Sequence, residues 1–342
     1  GPSVMKTLER AGHTPTSYPS PIDTRVPEKG IRQAPEGPRY STGYGDFIGV
    51  PTVLVENHML KPNRQRVLGT YVLLEAALKL AGQDHDHIVA AKRSDRASRP
   101  ATMLTSWKPA SAPIGWVERF KGVAFETYRS PATGRLEQRW TGQPITLRMP
   151  IMGQEPLASV LLPKAWWVPQ AQAEVIDRLR LHGIRFETLT SPRDMALDRV
   201  RLREAATQAP QDGRTPLKAS FAHETVNVAL PAGTVRVPFD QPLGLLAAAL
   251  LEPEAPDSFL AWGFFPEILA APSKAEDFVR APIAEAVLAN DVIEKAFAAR
   301  LAGDPAFRSD PQARLAWLLA RLPEPYPGYT SYPILRETQA NR

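Results

Sequence analysis

The sequence predicts an α/β segment at the start, part of an open mixed sheet, followed by an α+β region that ends in helices. Three observations predict it. A β-branched apolar run, Pro51-Thr52-Val53-Leu54-Val55, precedes a stretch of helical period from Arg64 to Leu80. Short β-prone segments punctuated by Pro and Gly fill the middle of the chain. Beyond residue 241 the apolar residues recur mainly at helical spacing. The boundaries expected from these shifts are 1–85, 86–240 and 241–342.

Residues 1–46 are rich in Pro, Gly, Ser and Thr and are expected to be loop. Gly1-Pro2-Ser3 has the composition of a cleaved-tag remnant, so the native beginning of the protein is expected to lie further upstream. The run from Pro51 to Val55 has the pattern of a strand buried on both faces of a parallel sheet, with Glu56-Asn57-His58 at its carboxyl end. Val67, Leu68, Tyr71, Leu74 and Leu78 then recur at three- and four-residue spacing, and Gly82 supplies a stop. Strand and helix make half of a βαβ unit. Open α/β sheets hold their ligands outside the carboxyl ends of the strands, where Glu56 stands.

A polar linker is expected from Gln83 to Arg99. Short strands follow around Met103–Trp107, Val123–Tyr128 and Ile145–Met149 as a small antiparallel layer. Residues 158–168, 171–181 and 184–189 read as strand, helix and strand, a βαβ crossover closed by Gly183. Residues 225–230 and 234–237 read as further strands. Helices are expected at 243–251, 258–269, 274–301 with a break at Pro282, and 311–322, before an aromatic, Pro-rich tail at 326–332.

Composition narrows the function. The 342 residues are 43% hydrophobic and 23% charged, which is globular rather than disordered. The net charge is +5, but the Arg residues are interspersed with Asp and Glu, so a basic nucleic-acid stripe is not expected. The longest uncharged apolar run, Leu243 to Leu251, is about half of what a membrane span needs. The chain contains no Cys, which removes thiolate and disulfide chemistry and fits either side of a bacterial inner membrane.

Among single residues, Glu56 is the leading candidate for chemistry. A carboxylate desolvated at a strand end has its pKa pushed up toward the range of a general acid or base. The alternative is a structural ion pair with Lys61, Arg64 or Arg66. Around it, Tyr40-Ser41-Thr42-Gly43-Tyr44-Gly45-Asp46, Pro51–Val55, Glu56-Asn57-His58 and Lys61-Pro62-Asn63-Arg64-Gln65-Arg66-Val67 resemble the carboxypeptidase A-like zinc metallopeptidases. The likeness is to bacterial members with a Glu-x-His-x-x-Lys-Pro pattern and a C-terminal extension. It covers residues 40–80; Ser258–Phe265 and Tyr332–Arg336 resemble parts of that extension.

The resemblance implies a zinc-dependent hydrolase of C-terminal peptide bonds, acting on peptides such as those of bacterial cell walls, with Glu56 as general base. Tyr40 and Tyr44 stand where the family carries substrate-binding residues, with packing as the alternative. The family's His-x-x-Glu zinc pair is absent: none of His13, His58, His85, His87, His182 and His223 has Glu three residues later. The zinc ligands and the substrate-holding Arg are therefore expected upstream of residue 1. The chain alone would be inactive and would need the N-terminal part of the catalytic domain as partner. The other function class open to this sequence is a non-catalytic binding or structural module that supports a peptidase domain. His58 reads as a core or second-shell histidine, and His85-Asp86-His87 as a solvated stretch of the linker. Trp166 and Trp167 would face opposite sides of a strand; these two, like Trp262, Phe264 and Phe265, read as core.

Overall fold

A computed structural model describes residues 2–18, 20–269, 276–321 and 330–338. Their elements, in chain order, begin with α1 (Pro2–Arg10), β1 (Ile31–Arg32), α2 (Ser41–Ile48), α3 (Asn63–Gln83) and α4 (His85–Ala97). Two long strands follow, β2 (Thr102–Arg129) and β3 (Leu136–Leu161), then β4 (Ala165–Val168), α5 (Ala173–Leu181) and β5 (Glu187–Thr188). Next come β6 (Arg193–Thr207), β7 (Leu217–Leu230), β8 (Val235–Pro238) and α6 (Gly244–Leu251). The chain closes with α7 (Asp277–Val287), α8 (Asp291–Gly303), α9 (Pro305–Ser309), α10 (Pro311–Leu319) and β9 (Leu335–Glu337). The chain is mixed α and β with open sheets. It forms two compact units: Gly1–Leu162 with Phe239–Ala249 and Ala255–Asp257, and Pro163–Pro238 with Leu250–Glu254 and Ser258–Arg342.

The first unit is built on a long antiparallel hairpin. β2 and β3 pair from Thr102↔Leu161 to Arg129↔Leu136, with bulges that take up Pro109 and Pro113. Proline cannot donate to a ladder, so it is accommodated at irregularities of this kind. At the tip, the Ser130 hydroxyl accepts from the backbone of Ala132 at 3.2 Å and Thr133 at 3.3 Å, which satisfies the turn. β1 adds to β3 in parallel through Ile31↔Ile151. Gly30 makes that approach possible: its φ is +93°, and a Cβ there would lie 2.1 Å from the Pro150 carbonyl. The three short strands expected in this region belong to these two continuous ones.

Several expectations for the first unit are corrected. Residues 1–46 contain α1, β1 and α2 rather than loop throughout. The Gln83–Arg99 linker is mostly α4, because Ala, Lys and Arg favour helix even where no apolar stripe marks one. The expected strand at Pro51–Val55 does not form: residues 50–58 carry no regular structure. Val53 is 75% exposed, and α3 has no buried residue along its 21 positions. A parallel-sheet strand needs neighbouring strands to satisfy its backbone, and this run pairs with none among the described residues.

The second unit holds a six-stranded sheet in the order β5-β8-β4-β9-β6-β7, with every neighbouring pair antiparallel. β4 and β5 both run opposite to β8 and hence parallel to each other, so β4-α5-β5 is the expected crossover, with β8 inserted between its strands. Its first strand is Ala165–Val168 rather than 158–168, because residues 158–161 end β3. Val175, Ile176 and Leu179 of α5 are buried. β4 is buried at all four residues, so Trp166 and Trp167 are both core although they point to opposite faces. Phe265 and Tyr332 meet edge to face at 5.3 Å, and Phe259 and Leu260 are buried.

The C-terminal helices have their own small core. Phe297, Phe307, Leu315 and Leu318 are buried together with Trp317 against them. Asn290, Asp304 and Asp310 cap α8, α9 and α10, each accepting from backbone N–H groups of the first turn. The expected break at Pro282 is displaced: α7 runs through that proline, and the chain turns at Leu288–Asn290 instead. The helix expected over 258–269 is instead a series of turns ending in a 3-10 turn at Pro266–Leu269. Most of the 326–332 tail lies outside the described residues.

Candidate functional site

The sequence-predicted site lies in the first unit. α2 is closed by Gly49, in the left-handed region at φ +66°, whose N–H reaches the Asp46 carbonyl. The Val50 N–H then donates to the Gly45 carbonyl at 2.8 Å, folding residues 50–52 back on the helix. A Cβ on Gly45 would lie 2.1 Å from the Thr52 hydroxyl, so glycine is required for this approach. The structure thus joins the Tyr40–Asp46 stretch to the start of the Pro51–Val55 run.

Each predicted residue has a definite place. Tyr40 precedes α2 and is exposed, with the Arg39 guanidinium stacked 4.6 Å from its ring centroid. Tyr44 lies on α2 and is half-buried. Glu56 is exposed, beyond the apolar run, and forms no ion pair with Lys61, Arg64 or Arg66. Next to it, the Asn57 amide donates to the Thr70 hydroxyl of α3 at 2.9 Å, anchoring the segment. His58 is exposed rather than core, and its Nδ1 accepts from the Leu60 N–H at 3.2 Å. His85 and Asp86 begin α4 and are exposed, as is His87.

These residues do not fit zinc by themselves. No group of three or more His, Asp or Glu side chains able to hold a metal ion occurs among the described residues. The Glu56 side chain is exposed. A hydrolytic zinc site needs three such ligands converging on one point.

A second cluster of charged residues, which the sequence reading did not single out, is built inside the second unit. Asp198 of β6 is paired opposite Arg336 of β9 in the sheet. The Arg336 guanidinium, 4% exposed, donates through Nη1 to Asp198 and through Nε to Glu252 Oε1 at 3.1 Å. Trp166 Nε1 donates to the same Glu252 oxygen at 2.7 Å. His223 of β7 bridges outward: Nδ1 lies 2.9 Å from Asp198 Oδ2 and Nε2 lies 2.7 Å from Glu254 Oε1. Tyr332 donates to the Leu251 carbonyl at 2.9 Å.

The electrostatics follow from this packing. Hydrogen bonds that the His223 ring donates to Asp198 and Glu254 hold its proton and raise its pKa to about 9. Burial raises that of Glu252 to about 7, against the opposing pull of Arg336. Burial also acts upward on Asp198, but His223 and Arg336 together hold it below the usual carboxylate range. The Oε2 atoms of Glu252 and Glu254 are buried with no hydrogen-bond partner. The charges of the cluster tie β6, β7 and β9 to residues 251–254. The signal available in sequence was Glu252, a single acid ending the apolar run Leu245–Leu251.

Comparisons of the chain with protein families, with curated proteins and with solved structures return no match.

Proposed function

We propose that residues 40–80 are the C-terminal part of a metallocarboxypeptidase-type catalytic domain that removes C-terminal residues from peptides, with Glu56 as general base. The observation that carries this reading is the uncovered apolar surface next to Glu56. Val53, Leu54, Val55, Leu74 and Leu78 are all exposed, although their spacing is that of a buried strand and its packing helix. Leaving such a surface in water is unfavourable, and covering it is favourable. The rest of a peptidase sheet, on polypeptide outside residues 1–342, is the cover that the Glu-x-His-x-x-Lys-Pro resemblance calls for.

Zinc would be bound by that other polypeptide, because the described residues bring no ligand set together. The role left to Glu56 is to accept the proton of the attacking water and return it to the leaving amine. Covering would take the carboxylate out of bulk water, which suits that role. Tyr40 and Tyr44 would line the substrate side. Under this reading the isolated chain is inactive.

The test uses the complete reading frame that encodes this chain. Zinc content and release of the C-terminal amino acid from N-acylated dipeptides are measured, with and without Glu56→Gln. Stoichiometric zinc and turnover, with turnover lost by at least a hundredfold in the variant and zinc retained, support the reading. A product that holds no zinc, or a variant with full turnover, overturns it.

For the second unit the supporting-module reading is favoured, because the basic members of its charge cluster are taken up internally: His223 bonds carboxylates at both ring nitrogens, and Arg336 bonds two.

A further inference from the structure

A cleft of about 870 Å³ in the first unit lies between the C-terminal end of α2, one face of α4 and residues 241–245. Glu56 does not line it, so what it binds is a separate question from the hydrolytic reading. Its α4 wall is formed at helical spacing by Asp84, His87, Ile88, Ala91, Lys92 and Asp95. These span 11 residue steps, roughly 16 Å at the helical rise. The lining is largely apolar overall, with Phe47, Val50, Pro51, Pro242 and Leu245 completing it beside α4.

Two properties define the ligand. First, the walls are held in place without filling the cleft. Gly45 and Val50 close the α2 side by the backbone bond described above. Arg99 fixes the end of α4 by donating to the Asp240 carboxylate at 2.7 Å and to the Arg96 and Ser98 carbonyls at 2.8 Å. Second, the charges facing the cleft are uncommitted. Asp46, Asp84, Asp95, Lys92 and Arg96 have no side-chain partner among the described residues.

We propose that this cleft binds a short peptide in extended conformation, with apolar side chains on the floor and its ammonium and carboxylate groups paired to the free charges of both signs. A length of roughly 16 Å matches about five extended residues. Phosphate-bearing ligands are disfavoured because three carboxylates outnumber the two cations. Sugars are disfavoured because the lining holds no Tyr or Trp and a single Phe, Phe47.

The probe is the zwitterionic pentapeptide Lys-Leu-Ala-Leu-Glu with free termini, titrated into the full chain by calorimetry. Saturable binding is expected, weakened at least tenfold by Ala91→Trp, which fills the cleft. It should weaken similarly in the surface double change Lys92→Ser with Arg96→Ser, which keeps the test open should the first variant fail to fold. Circular dichroism checks folding of both. Glu56→Gln should leave binding unchanged, so loss of binding there would place the peptide at the predicted catalytic residue instead and overturn the proposal. Absence of saturation up to millimolar peptide, or binding that survives both cleft variants, also overturns it.

Discussion

Trp166 Nε1 donates to Glu252 Oε1 at 2.7 Å, and both side chains are wholly buried. The Trp166 indole of β4 and the buried Glu252 carboxylate, just beyond α6, are tolerated because Arg336 supplies the opposing charge from the strand beside β4. The cost of losing any one member is therefore set by what remains behind, unpaired and out of water.

Arg336→Leu should destabilise the second unit by about 3–5 kcal/mol, since it strands Asp198 and Glu252 as buried carboxylates with one cation fewer. Urea unfolding of the chain, followed by tryptophan fluorescence, reads this directly. An unmoved midpoint would mean that the pair is not formed.

Glu252 gives an acid-side signature. Its pKa in the folded chain, about 7, lies above its ordinary value of 4.5, so the folded state holds the proton more tightly. Its contribution is complete below pH 4.5 and is lost as pH rises through 7. Glu252→Gln mimics the protonated acid and should flatten the stability profile between those values. A variant whose profile keeps the wild-type slope there would refute the assignment.

His223 acts on the alkaline side. Its pKa is raised from 6.5 to about 9, so its contribution is complete below pH 6.5 and disappears as pH rises through 9. The groups facing it are Asp198, Glu254 and Arg336. The imidazole is 37% exposed, so solvent screening keeps the effect modest. Titrating the ring protons by NMR checks the value, and a midpoint near 6.5 would show that the two carboxylates do not clamp it.

The exposed face of α3 yields a prediction of the opposite kind. Leu74→Glu with Leu78→Glu should leave the unfolding midpoint of the isolated chain within about 0.5 kcal/mol, because neither side chain is buried in it. Sedimentation should show less self-association than the parent chain. A large loss of stability would mean that the face is already covered.

Much of the second unit was legible in the sequence. The β4-α5-β5 crossover, the strand ending at Leu230 and the paired tryptophans follow from local apolar pattern, which burial in a sheet enforces residue by residue. Its charge cluster was not legible, because Asp198, His223, Glu252 and Arg336 are far apart in the chain and each is unremarkable where it stands. In the first unit the pattern of Pro51–Val55 was read as a strand. The structure leaves it unpaired, since a strand of that type exists only beside its neighbours. The α4 face that lines the cleft was hidden by its charges, which suggested a linker.

The sequence alone therefore determined the strand-helix-strand unit at β4-α5-β5, the helices α6 and α10, the burial of Trp166, Trp167 and Phe265 and the apolar run that ends at Glu56. It did not show β6 or β9, and Trp262 and Phe264, read as core, are half-buried. Only the tertiary structure decided which charged residues meet, that Arg336 lies opposite Asp198, and that the segment carrying Glu56 is uncovered. The reason is the range of the forces involved. Periodicity and capping are written within a few residues of chain, whereas desolvation and charge pairing depend on what the folded backbone brings alongside.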